Sequence, residues 1–222
     1  MTLELREREV LSTLEKIKNF NFVLIGGYAV NSYTQPRFSV DCDLVVRDKE
    51  KADIIGDSLV KEGYNRKENN FNLPYGTDFK CFVKQIDDIK VAFDLLISGV
   101  LDRRTNARFS ADWIFENSEE REVIGKSISI RFKVRVASQE ALMVMKIAAS
   151  RKSDLRDVFM LAGGKIDWDF VNRWLKEFNL KTNRLMDYIS KEDFKDSLQG
   201  VFGKVDNKLF EKGIKIIKER LK

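Results

Sequence analysis

Asp41 and Asp43 lie two residues apart in the run DCDLVV, and Asp94 interrupts a second apolar run, KVAFDLLI. Side chains two apart on a strand point the same way, with Cα atoms about 6 to 7 Å apart, so the first pair can reach one small volume. If the strand bearing Asp94 lies beside theirs, a third carboxylate joins, and three carboxylates can hold two divalent ions about 3.5 to 4 Å apart. One ion of such a pair lowers the pKa of an attacking hydroxyl, and the other stabilises a phosphate leaving group. Plainer readings exist for each part. An Asp-X-Asp at a strand start is commonly a solvated edge, and Asp94 could be half of an ion pair with Lys90, Lys84 or an arginine. An aspartate within an apolar strand is nevertheless disfavoured unless a partner or a metal compensates it.

Gly26 and Gly27 follow a short apolar stretch and precede a helix-compatible segment. A glycine pair after a strand is commonly just a turn. Lacking β-carbons, these two would also let phosphate oxygens approach the backbone, and a following helix would offer free amide hydrogens. Acids and glycines together point to a phosphate-bearing ligand held beside a metal.

Composition narrows the chemistry further. The 222 residues contain no histidine, which removes Ser-His-Asp triads, Cys-His pairs and imidazole metal ligands. An oxygen-only ligand set favours a hard ion, magnesium or manganese. Two cysteines, Cys42 and Cys81, are too few for a disulfide framework or a four-ligand zinc site. An apolar fraction of 43% supports a real core, and a net charge of +5 suits a polyanionic partner without requiring one. With no signal-like or membrane-spanning run, a cytoplasmic location and no membrane partner are expected.

The elements that must position these residues follow from periodicity. Residues 3–18 read as an amphipathic helix, 22–25 as a strand, and 28–33 as a helix starting at the glycine pair. Residues 41–46 read as a strand, 49–62 as a helix closed by Gly63, and 79–84 and 89–97 as two further strands. In the last of these Ile89, Val91, Phe93, Leu95 and Ile97 face the core, while Asp94 lies on the polar face. From about residue 138 the pattern turns helical, with helices at 141–149 and near 155–162 and 168–178. An amphipathic carboxy-terminal stretch carries Leu209, Ile216, Ile217 and Leu221 as its apolar stripe. The expected fold is α/β (α+β), a small mixed sheet flanked by helices. Residues 1–137 would be the catalytic part and 138–222 a helical region completing the site.

The run IGGYAVNSYTQPRFSVDCDLVV resembles the signature of the polymerase-beta-like nucleotidyltransferase superfamily, with thirteen residues between Gly27 and Asp41. Its Arg-X-Ser-X-Asp-X-Asp form (Arg37, Ser39, Asp41, Asp43) is similar to the AbiEii/AbiGii abortive-infection toxin branch. Tyr28 stands where that branch often has a small hydroxyl residue, and the Gly-Gly-X-Ala start also resembles antibiotic-modifying adenylyltransferases. The likeness spans about residues 20–100, and more weakly 140–162, where KIAASRKSDLRDVFML is similar to the branch's helical motif. It implies a magnesium- or manganese-dependent enzyme that moves a nucleotidyl group from a nucleoside triphosphate to an acceptor. Asp41, Asp43 and Asp94 would bind metal, with Asp94 also helping to deprotonate the acceptor. Gly26, Gly27, Arg37, Ser39, Lys146, Arg156 and Asp157 would serve the nucleotide, Lys146 by touching the triphosphate. The helical-motif charges could equally be solvated faces with ion pairs.

Between Arg121 and Asp157 nine basic residues face four acids, and Arg131, Lys133 and Arg135 alternate as a basic stripe that could track RNA. The plainer reading is a solvated sheet face. A tRNA end is the acceptor expected first, with a protein hydroxyl or a small molecule as the others. The resemblance also raises a toxin held by a cognate antitoxin protein. The competing class is a non-catalytic nucleotide- or RNA-binding module of the same fold.

Overall fold

The computed structural model describes residues 2–67 and 79–221. The chain opens with α1 (Thr2–Ile17), which buries Val10, Leu11, Leu14 and Ile17 on one stripe, as their spacing requires. Next come β1 (Val23–Ile25), α2 (Gly26–Val30) and β2 (Asp41–Val46). Helix α3 (Lys49–Lys61) begins where the Asp48 carboxylate accepts from the Lys51 amide, and ends at Gly63 in the left-handed region. Strands β3 (Asn65–Arg66), β4 (Phe79–Ile86) and β5 (Ile89–Ile97) follow. A small pair, β6 (Gly99–Leu101) and β7 (Arg108–Ser110), leads into α4 (Ala111–Glu116), β8 (Ser118–Ile124) and β9 (Arg131–Ala137). The remainder is helical: α5 (Gln139–Ala149), α6 (Lys152–Leu161), α7 (Trp168–Glu177), α8 (Asn183–Ile189), α9 (Phe194–Phe202) and α10 (Asn207–Arg220).

Among the described residues the main sheet has seven strands in the order β3-β4-β5-β2-β1-β9-β8. It is mixed: β2 runs parallel to β5 and β1 parallel to β9, while the other neighbours are antiparallel. Alternation along the central strands separates two faces. Cys42, Leu44, Phe93 and Leu95 turn toward the layer made by α1 and α3, where the Phe82 ring sits against Gly56. The opposite face carries the acids and is approached by α2, α5 and α6. A mixed sheet flanked by helices, with a helical carboxy-terminal part, is the architecture the periodicity implied.

One apolar cluster runs from Val10 to Leu221 and so joins the sheet to the carboxy-terminal helices. Trp113 of α4 meets Trp174, within α7, and Phe178, just past its end, in edge-on ring contacts at 5.2 and 5.5 Å between centroids. Glu7, wholly buried in α1, accepts from the Lys126 and Ser127 amides and the Ser127 hydroxyl at 2.7 to 2.9 Å. These bonds satisfy its charge and tie the first helix to the turn between β8 and β9.

Three expectations change at the level of elements. The helix after the glycines is α2, which begins on Gly26 itself and lasts only five residues, so its summed dipole is small. Leu209 does not belong to the carboxy-terminal apolar stripe: it is 67% exposed, while Ile217 and Leu221 are buried. Arg131, Lys133 and Arg135 do share an exposed face of β9, but Ile124, Glu122 and Glu120 stand opposite them, and Arg131 pairs with Glu122 at 3.6 Å. Acids thus offset much of that stripe. Among the described residues no helix is long and apolar enough to cross a membrane.

Candidate active site

The parallel pairing of β2 with β5 sets Asp43 directly against Asp94, with Asp41 two residues earlier opposite Ala92. Register partners project to the same side, so all three carboxylates lie on one face. Cys81 of β4 stands opposite Asp94 on the other flank. Antiparallel pairing of β1 with β2 puts Ile25 across from Asp43, which delivers the glycine turn to the same spot.

The glycines are required there, for a reason other than ligand access alone. Gly26 adopts φ +70°, and a β-carbon on it would come within 2.0 Å of Asp43 Oδ2. One on Gly27 would come within 2.3 Å of Ser39 Oγ and 3.1 Å of the Arg37 guanidinium. Space that the sequence suggested for phosphate is thus partly taken up by Asp43, Ser39 and Arg37. Buried Asn31 shapes the loop from α2 to β2 by donating to the Arg37 carbonyl at 2.8 Å and accepting from the Arg37 amide at 3.1 Å.

Electrostatics mark this wall. Burial, with the nearby Asp94 charge adding to it, pushes the Asp43 carboxyl up to about 7, against the pull of Lys146 and Arg151. Burial likewise lifts Asp94 to about 6; the Cys81 thiol opposes the rise and Asp41 adds to it. Asp41 is raised by burial, against Arg6 and Lys90. Asp94 Oδ1 is buried and has no hydrogen-bond partner among the described residues.

The facing wall comes from α5 and α6. Arg37 grips Asp157 through two bonds, 2.7 Å from Nε and 2.6 Å from the terminal nitrogen. Lys146 pairs with Asp154 at 2.8 Å and with Asp157 at 3.0 Å. Burial alone would raise Asp157, but the Arg37 and Lys146 charges outweigh it and hold the carboxyl below its ordinary value. Lys146 and Arg37 are held above theirs, because the two aspartates outweigh their own burial.

Between the walls lies a cavity of about 410 Å³, lined by Gly26, Gly27, Arg37, Ser39, Asp41, Asp43, Asp94 and Lys146 among others. Eight of the residues singled out from the sequence therefore meet in one place. A second cavity of about 430 Å³ adjoins it, sharing Gly26, Asp43, Leu96, Lys146, Arg151 and Asp154 and adding Val100, Phe109, Leu142 and Met145 as apolar walls. Asp157 lines neither cavity and lies beneath them as the ion partner of Arg37 and Lys146. Arg156, half-buried on α6, also lines neither. Sequence reasoning did not assign Arg151, Ser153 and Asp154 to the site, nor Arg103 and Arg104 in the second cavity. The only available signal was the charge density of KIAASRKSDLRD, which equally fits a solvated helix.

The donors suit a hard divalent cation in kind and in facing. They comprise three carboxylates on one wall, two of them raised by crowding and burial, with one orphaned buried oxygen. Yet among the described residues no three acidic or sulfur side chains stand close enough to form a ready ligand cage.

No family model matches the chain, and no curated protein matches it. Among solved structures it is similar to one from H. pylori provisionally described as a nucleotidyltransferase. That likeness covers 96% of this chain and 90% of the other, at 15% identity and a TM-score of 0.49.

Proposed function

We propose that this chain is a metal-dependent nucleotidyltransferase, moving a nucleotidyl group from a nucleoside triphosphate to an acceptor hydroxyl with release of pyrophosphate. What supports this is the register that sets Asp43 against Asp94, with Asp41 on the same wall, beside a turn whose positive φ at Gly26 and close side-chain packing favour glycine. Asp41, Asp43 and Asp94 would hold magnesium or manganese. When bound, the cation would supply charge neutralisation on the phosphates and acidify the acceptor hydroxyl. The proton leaving that hydroxyl would pass to Asp94 Oδ1, a buried carboxylate oxygen with no hydrogen-bond partner among the described residues. Gly26 holds Asp43 in place by its missing side chain, and Ser39 packs on Gly27 at the cavity wall. The Arg37–Asp157 pair ties the loop before β2 to α6, which fixes the two walls relative to each other.

A tRNA end is the acceptor proposed first, on the sequence resemblance; Glu120 and Glu122 temper the support from β9. A toxin restrained by a partner protein follows from the same resemblance, and growth arrest on expression, relieved by a neighbouring gene's product, tests it. For the activity itself, labelled triphosphates, magnesium and bulk tRNA are incubated with the wild type, Asp41→Ala and Asp43→Ala. Transfer by the wild type alone is expected. Equal labelling by the variants removes the assigned roles, and RNA binding with no transfer by any form favours a non-catalytic module.

A further inference from the structure

Among the described residues three cations, Arg37, Lys146 and Arg151, line the cavity beside the carboxylates, and two of them are already paired. Arg37 and Lys146 are matched by Asp154 and Asp157 in a buried cluster whose charges cancel, with side chains 11%, 12%, 6% and 0% exposed respectively. A phosphate arriving there would have to compete with carboxylates at 2.6 to 3.0 Å. Arg151 differs. It is exposed, lines both cavities, and its guanidinium makes no ion pair and donates no hydrogen bond among the described residues. Its charge is also felt at Asp43. In the second cavity Arg104 is committed to the Ala148 carbonyl at 2.5 Å.

Local backbone explains why Arg151 points away from the neutral cluster. Helix α5 ends at Ser150, which takes the left-handed conformation (φ 43°), with its amide on the Lys146 carbonyl and its buried hydroxyl donating to the Ile147 carbonyl. The chain therefore breaks before α6 instead of continuing the helix. The Arg151 amide is then held at 3.2 Å by the Asp154 carboxylate that also binds Lys146. The neutral cluster thus fixes the backbone of Arg151 and leaves its side chain to the cleft.

We infer that Arg151 is the residue that binds the phosphate chain of the triphosphate, with Lys146 and Arg37 acting as positioning residues behind it. This rests on the nucleotidyltransferase reading and moves the phosphate contact from Lys146 to a residue five positions later. A guanidinium presents a fork of donors to phosphate oxygens and cannot lose its charge, which suits a site where carboxylates already lie close by.

The test is calorimetric binding of inorganic tripolyphosphate, with excess magnesium, to the whole chain as wild type, Arg151→Ala, Arg151→Lys and Asp43→Ala. Removing one charge-assisted contact should weaken binding by roughly ten- to a hundredfold in Arg151→Ala. Arg151→Lys should recover part of the loss, and both variants should melt with the wild type in the absence of ligand, since the side chain is exposed. Arg151→Ala binding within about twofold of wild type, while Asp43→Ala binds far more weakly, overturns the assignment and leaves the nucleotidyltransferase reading standing. A wild type that binds no tripolyphosphate overturns both.

Discussion

Replacing Asp43 by asparagine should make the metal-free protein more stable above neutral pH, the reverse of what a buried polar substitution usually does. Its carboxyl has an ordinary value of 3.8 and rises to about 7 in the folded chain. A raised carboxyl means that the folded state holds a proton the unfolded state has released, so stability is greatest below the unfolded value and falls as pH climbs through about 7. Linkage over that window gives a loss of at most about 2.5 kcal/mol between about pH 5 and about pH 8. Residual solvent access at Asp43 and its coupling to Asp94 reduce this, so about 1 to 2.5 kcal/mol is the range to look for. Asp157 does not confuse the result. Its carboxyl is depressed, so its contribution is complete above about pH 4 and is lost only below that. Urea unfolding of chelator-treated wild type and Asp43→Asn at both pH values measures the effect, provided the slopes against denaturant agree. Wild type should lose stability across the window, the variant much less, and saturating magnesium should flatten the wild-type dependence. Identical pH slopes for the two chains would refute the electrostatic account of this wall.

The other walls make their own predictions. Asp157→Asn should cost about 3 to 5 kcal/mol, because it removes the buried charge that both Arg37 and Lys146 depend on, and a urea midpoint near wild type would contradict it. Gly26→Ala should both strain a left-handed residue and displace Asp43, lowering stability by about 1 to 3 kcal/mol; an unchanged melting midpoint with unchanged manganese affinity would show that the turn has room to spare. Glu7→Ala should cost about 1 to 3 kcal/mol by removing the buried carboxylate that holds the Lys126 and Ser127 amides to the first helix, and thermal unfolding checks it.

Much of this site was legible because period-2 alternation leaves little freedom. Once Cys42, Leu44, Phe93 and Leu95 must face a core, Asp41, Asp43 and Asp94 have to share the other face. What alternation cannot state is which strands are neighbours. The pairing of β2 with β5 is a parallel one between distant segments, and only the fold shows that Asp43 meets Asp94. The short elements from Gly99 to Glu116 escaped a periodicity reading because they have too few residues to show a period, so their arginines were not placed at the second cavity. The roles of Lys146, Arg151 and Asp154 were hidden differently. Six charges in the twelve residues from Lys146 to Asp157 look alike in sequence, and it takes the left-handed break at Ser150 to separate the paired Lys146 from Arg151, which has no ion pair among the described residues. Leu209 shows the converse error, an apolar residue at helical spacing that the last helix leaves in solvent.

The central claim is that the carboxylates on β2 and β5 gather a divalent ion beneath a triphosphate. Crystals grown with manganese and a non-hydrolysable triphosphate, with anomalous data collected for manganese, test it most directly. A manganese peak ligated by Asp43 and by Asp41 or Asp94 is expected, with the phosphate chain between them and Arg151. A triphosphate bound elsewhere, or manganese that ignores all three aspartates, would contradict it.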